Sequence, residues 1–254
     1  MKKKQRSTST NVYSIISIIL LLLIWQLVCS VGLIPSFMLP APLQVVQVLI
    51  SDFSLLMHHA RITLIEAALG LFFGVCFGFV VAVFMDSFEK IRQALYPLLT
   101  LSQTVPTVAI APLLTIWFGF GILPKIVLIV ITVFFPVAVA MLNGFSSVDA
   151  DEIRLLRSMG ANRKQIFWHI KLKASLADFF AALKIAVTYA VVGAVISEWL
   201  GGFEGLGVYM TRVRKSYDFD KMFAVILLIS LLSLLLMAIV NLLEKIAMPW
   251  KDEV

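Results

Sequence analysis

Charge is scarce in this chain. Asp, Glu, Lys and Arg make up 14% of the 254 residues, while 61% are hydrophobic. A mean hydropathy of +0.99 excludes a water-soluble domain. Cysteine is scarcer still. Cys29 and Cys76 both sit inside apolar runs, which excludes a disulfide scaffold and reads as packing. His58, His59 and His169 are too few and too scattered for a metal centre. The Gly-rich run 201–207 lacks both a Gly-Lys-Ser/Thr ending and a preceding strand, so it is no phosphate loop. The apolar runs contain no Ser/His, paired-Asp or metal constellation for an intramembrane enzyme. The net charge of +6 does not point to nucleic acid, because most basic residues stand in loops and at the ends of apolar runs.

What remains is hydrophobic sequence in blocks of about 20 residues, the length that crosses a bilayer as a helix. The chain reads as an all-α polytopic membrane protein, and not as a β-barrel, which shows short alternating segments. Six spans are expected, near 12–31, 62–85, 95–118, 122–142, 179–198 and 222–243. Residues 1–11 and 244–254 form polar tails around this 12–243 domain. The first run is too long for a signal core and no small-x-small cleavage site follows, so it reads as an uncleaved span. After the break at Pro35 to Pro42, 43–59 reads as an amphipathic helix on the membrane surface.

Two spans carry sharper signals. Gly70, Gly74 and Gly78 put three bare positions on one helical face, which lets a neighbouring helix approach closely. Glu66, one turn earlier, reads equally as an interfacial residue or a functional one. The third span contains Pro97, Pro106 and Pro112, so it should be kinked. Ser102, Gln103, Thr104, Pro106 and Thr107 cluster at the kink. They read equally as a translocation pathway or as interhelical hydrogen bonding. Pro136 predicts a bend in the fourth span. Lys184 should snorkel, and 201–207 reads as a flexible loop before an interfacial helix at 208–217.

The longest charged stretch is 149–173. It reads as two short helices joined by a turn. Asp149 or Asp151 caps the first, Gly160-Ala161-Asn162 makes the break, and Asn162 caps the second. Leu155 and Met159 share one face beside Leu156, while Ile166, Phe167 and Ile170 form another. With the N-terminus in the cytoplasm, that side collects most of the 21 basic residues, 149–173 included. A polar unit tied to spans on that side suits docking of a soluble partner.

The stretch also resembles the cytoplasmic coupling loop of ABC-importer permeases. Gly160, Ile170 and Leu172 fall in register with that loop, while Arg154-Leu155-Leu156 replaces its Glu-Ala-Ala and Lys173 its Pro. The run from Gln103 to Leu114, then Trp117 to Gly121, Lys125, Phe134-Phe135-Pro136, Gly193, Glu198 and Gly205-Leu206-Gly207 resemble the nitrate, sulfonate and taurine branch. Arg154 to Ala161 and Gly207 to Arg212 look most like permeases for thiamine pyrimidine precursors. Glu66 departs from an expected Arg.

The resemblance implies a type I ABC-importer permease in the bacterial inner membrane, with both termini cytoplasmic. It implies a homodimer with a second permease copy, two cytoplasmic ATP-binding-cassette subunits and an extracytoplasmic solute-binding protein. No cofactor belongs to this chain; ATP and Mg would sit on the partner ATPase, so the chain itself is no enzyme. Coupling falls to Arg154, Leu155, Leu156, Met159, Gly160, Ala161, Ile170 and Leu172. The cargo implied is a small organic solute or anion of the sulfonate, taurine or nitrate kind, or a thiamine pyrimidine precursor. Two rivals are the membrane component of an energy-coupling vitamin transporter and an ion-coupled carrier. The carrier should hold ionisable residues deep in its spans, whereas Glu66, Lys184 and Glu198 read as lying near span ends.

Overall fold

The computed structural model describes the backbone of residues 2–35 and 38–249, with the side chains of Tyr13 and of these residues from 15 on. The described secondary structure is helical throughout: α1 (Lys2–Ser30), α2 (Pro42–Ser51), α3 (Phe53–Ser87), α4 (Glu89–Ser102), α5 (Thr107–Phe118), α6 (Ile122–Ser146), α7 (Ala150–Ser158), α8 (Arg163–Ile166), a π-helical turn (Phe167–Lys171), α9 (Leu172–Gly201), α10 (Leu206–Lys215) and α11 (Phe219–Ala247). Four helical stretches are long and apolar enough to cross a membrane: Phe53–Ser87, Ile122–Ser146, Arg163–Gly201 and Phe219–Ala247. The bent pair α4 and α5 makes a fifth if it is one span, and the apolar part of α1, Ile15–Ser30, falls short of that length.

Several expectations change. The amphipathic helix expected over 43–59 is divided at Asp52, and its second half is the start of the 35-residue α3. Helix α1 begins at Lys2 and runs through residues 2–11 without a break. Of the polar C-terminal tail, 250–254 lie outside the described residues. The stretch expected as one kinked span is instead two helices, α4 and α5, meeting at 99°. The break falls just before Pro106, which caps α5 in extended conformation. Proline has no N–H and forces the preceding residue out of the α region, so the helix stops there. Pro97 and Pro112 lie inside α4 and α5, and α6 continues through Pro136.

Contacts divide the chain into two units, 1–58 with 209–228 and 59–208 with 229–254. In the first, α1 packs on α2, and Trp25 meets Phe223 at 6.0 Å between ring centroids. Asp52 receives the Tyr209 hydroxyl at 3.5 Å and faces the Lys221 ammonium at 3.6 Å. Burial, then the neighbouring Asp52 carboxylate, pushes the Tyr209 phenol up to about 12, so it remains a donor at physiological pH.

The second unit is built on α6 lying along α9. Its core joins Ile129, Val133, Val137 and Met141 of α6 to Ala186, Ala190 and Ala194 of α9. The glycine face of α3 packs on the same α6 ridge. A Cβ at Gly74 would lie 2.8 Å from Val133, and one at Gly78 would lie 2.6 Å from the Phe134 carbonyl. At Gly70 it would strike Ile129. Ile129, Val133 and Val137, spaced one turn apart on α6, thus stand against the three bare positions on α3.

Candidate functional site

Three constellations in the second unit carry polar chemistry. The first is the break between α4 and α5. Ser102 and Gln103 end α4, Thr104 lies in the turn, and Thr107 opens α5. Ser102, Gln103 and Thr107 line a cavity of about 260 Å³ together with Thr132 of α6 and Tyr189 of α9. Thr104 and Pro106 stand in the break but not in that wall. The Thr104 hydroxyl donates to the Leu101 carbonyl at 2.7 Å. Thr132 and Tyr189 were missed by sequence reasoning. Each is one polar group in an apolar span, a weak signal until the fold brings it beside the break.

The second constellation is the charged stretch. Asp149 Oδ1 accepts the Asp151 N–H at 2.9 Å and caps α7. At its end, Gly160 takes φ +86, while the N–H of Ala161 reaches back to the Leu156 carbonyl at 2.9 Å. That left-handed closure favours glycine. Asn162 then starts α8 with a reciprocal box: its Oδ1 accepts from Gln165 N at 2.9 Å, and its N–H donates to Gln165 Oε1 at 2.8 Å. The second helix is not a short separate one. It continues through the π-helical turn into α9, so the turn at Gly160 joins α7 directly to a membrane-length rod.

Leu155 is 62% and Met159 75% exposed, and Arg154 is exposed beside them, at 3.1 Å from Asp151. Leu156, Ala161 and Ile170 are half-buried. Leu172 packs against the core of the unit, and Ile166 is buried. The free apolar surface is therefore that of α7, joined by the exposed Trp168, which packs edge-on to Phe167. The inserted residue of a π turn re-aims the side chains after it. Lys171, within that turn, grips both oxygens of Asp86 at the end of α3, at 2.6 and 2.9 Å.

The third constellation was not foreseen. Residues Glu66, Lys125 and Glu198 are 3%, 6% and 1% exposed. Lys125 Nζ donates to Glu66 Oε1 at 2.5 Å. Glu198 Oε1 accepts from the Thr63 hydroxyl at 2.7 Å, and Oε2 accepts from Gly207 N at 2.6 Å. Leu206 N donates to the Thr63 oxygen at 2.9 Å, and Gly205 N donates to His59 Nδ1 at 3.1 Å. Glu66 is thus a buried ion-pair member and not an interfacial residue. The Gly-rich 201–207 run is not a loose loop, because three successive N–H groups at the start of α10 are bound. A carboxylate there also complements the helix dipole. Gly205 takes φ +124, and a Cβ on it would collide with the Glu198 carboxylate. His59, Thr63 and Glu66 follow i, i+4, i+7 spacing on α3, the one sequence signal that marks this face. Lys184 likewise pairs, with Glu244 of α11 at 2.5 Å.

A helical membrane protein with a helix break beside a part-polar cavity, and an exposed amphipathic helix at the root of a long rod, has the parts a transport component needs. The family described as binding-protein-dependent transport system inner membrane component matches residues 74–246, and the chain belongs to it. It is 36% identical to the formylaminopyrimidine transport permease protein ThiX of Halalkalibacterium halodurans, over 92% of this chain and 94% of that protein. It is 32% identical to the taurine transport system permease protein TauC of Escherichia coli, over 95% and 90%. Among solved structures, an inward-facing MetNI methionine ABC transporter chain shares its fold, with a TM-score of 0.68 over 77% of this chain and 97% of that one, at 20% identity. The chain is a permease subunit of an ABC importer, an inner-membrane transport component and not itself an enzyme.

Proposed function

We propose that the chain works as a homodimer of six-span subunits, with α1 as the additional span and both termini in the cytoplasm. Two cytoplasmic ATP-binding-cassette subunits grip α7, bind ATP and Mg, and drive it; a solute-binding protein delivers cargo from the other side. The cargo is a small organic solute of the kind named for the relatives, a formylated aminopyrimidine or taurine. The observation that carries this reading is the exposed apolar face of Leu155 and Met159 on a helix joined through Gly160 to the α9 rod.

The physical sequence is short. Closure of the ATPases displaces α7. The turn at Gly160 passes the displacement to α9, and the Lys171–Asp86 pair passes it to α3. Helices α3, α6 and α9 are close-packed, so they shift as a body between two arrangements. The broken span is the element that yields, and the side to which the cavity opens is exchanged. The positive-inside bias supports a cytoplasmic α7.

The test is a cysteine at Asn162, in a background with Cys29 and Cys76 replaced. An impermeant maleimide should label it in inverted vesicles and leave it unlabelled in intact cells. Ready labelling of intact cells would overturn the topology and the docking role together.

A further inference from the structure

The cavity at the broken span has a wall chemistry that selects among solutes. None of its lining side chains is ionisable at neutral pH. Two of its hydroxyls spend their hydrogens on their own helices: Ser102 donates to the Leu99 carbonyl at 2.7 Å, and Thr132 to the Ile129 carbonyl at 2.8 Å. What these two offer the cavity is oxygen lone pairs, which accept. Gln103, Thr107 and Tyr189 also line it, and among the described residues their side chains have no hydrogen-bond partner. Tyr189 adds an aromatic ring, 48% exposed, on the α9 side. The rest of the wall is apolar, with Ile131, Val192 and Ile196.

A sulfonate entering this space would bring a full negative charge with no cation to meet it. Gln103, Thr107 and Tyr189 can donate to it, but none carries a positive charge, and the Ser102 and Thr132 oxygens can only accept. Moving an ion out of water without a counter-charge is costly, and an acceptor facing an anion adds repulsion. An uncharged ring bearing amino groups meets the opposite situation. Its N–H groups donate to the Ser102 and Thr132 oxygens, Gln103 pairs with a ring nitrogen and an amino group together, and its face lies against Tyr189.

We propose that this cavity is a recognition site in the permease itself for an uncharged, amino-substituted heteroaromatic ring, and that it disfavours sulfonates. The proposal rests on the reading of the chain as an importer permease. It adds that selection is not left wholly to the binding protein: the membrane subunit checks the cargo a second time, by the sense of its hydrogen bonds.

The experiment is equilibrium dialysis of the purified permease–ATPase complex without binding protein, with 4-aminopyrimidine and ethanesulfonate, an anion with no amino group, as probes. The aminopyrimidine should bind saturably and more tightly than ethanesulfonate. Tyr189→Ala should weaken it by about tenfold, the effect of one lost stacking contact, whereas Tyr189→Phe should stay within about threefold. Thr107→Lys should reverse the preference toward ethanesulfonate. ATP hydrolysis by each variant complex confirms that it is folded. Tighter binding of ethanesulfonate to the unaltered complex, no saturable binding of either probe, or indifference to Tyr189→Ala would each overturn the site. A separate arm measures ATP-driven uptake by the complete transporter of the solute that co-purifies with the binding protein. Absence of that uptake would overturn the importer reading, whereas uptake intact with ethanesulfonate preferred in dialysis overturns the cavity assignment alone.

Discussion

Lys125 is the residue on which the second unit's electrostatics turn. It is the ammonium paired with Glu66, and its charge also reaches the Glu198 carboxylate, with all three nearly free of solvent. A buried pair gives little net stability over an apolar substitute, yet removing one member strands the other. Lys125→Met should therefore destabilise the protein by about 3–5 kcal/mol, read as a lowered Tm of the purified complex. Adding Glu66→Gln should restore part of the loss, because the stranded charge goes with it. An unchanged Tm in the single variant would show that the pairing is not formed. The partners were not legible in sequence. Lys125 and Glu66 are 59 positions apart, and each alone reads as an ordinary residue at the edge of an apolar run.

At the scale of elements, spacing was informative and endings were not. The period of Gly70, Gly74 and Gly78 marked a close-packing face, and the structure shows the α6 ridge that fills it. Gly74→Leu would press a side chain into Val133. Overpacking of this kind costs about 1–3 kcal/mol, and here it should also cut insertion of the folded protein, seen as protease-sensitive chain in membranes. Equal yield and equal protease resistance would contradict the packing. Prolines were legible as trouble but not as a break. Three of them lie in the stretch 95–118, and only Pro106 stands at a helix boundary: it opens α5 four residues after α4 ends at Ser102, and the two helices meet at 99°.

Gly160 behaves differently. No neighbour crowds it, so its requirement is the positive φ alone. Gly160→Val should therefore cost about 1–2 kcal/mol locally and reduce ATP-driven uptake. Gly160→Asn, which tolerates that φ, should lose much less. Equal uptake by the two variants would mean that the turn does not transmit force. The capping residues Asp149 and Asn162 were legible because their chemistry is local. The fusion of α8 to α9 was not, since the charges of 163–173 hide the continuation of a helix.

The whole molecule couples constellations that lie far apart along the chain. In the second unit, Lys171 and Asp86 tie the root of α9 to the end of α3, while Glu198, Thr63 and Gly207 tie the end of α9 to α3 and to the start of α10. Helix α9 is thus fastened near both of its ends. Between them lies the cavity, walled by its middle and by the broken span. The class of protein was legible from composition and periodicity, because lipid dictates both. The cavity wall was legible only in part: the break announces Gln103 and Thr107, while Tyr189 and Thr132 need the fold to arrive there.

The most direct test replaces Met159, the 75%-exposed residue that caps the end of α7, with a photo-crosslinking amino acid in the complete, working transporter. Illumination should join the permease to its ATPase subunit, and the yield should change when ATP closes the engine. A crosslink to the binding protein instead, or none to the ATPase in a complex that still transports, would contradict the account.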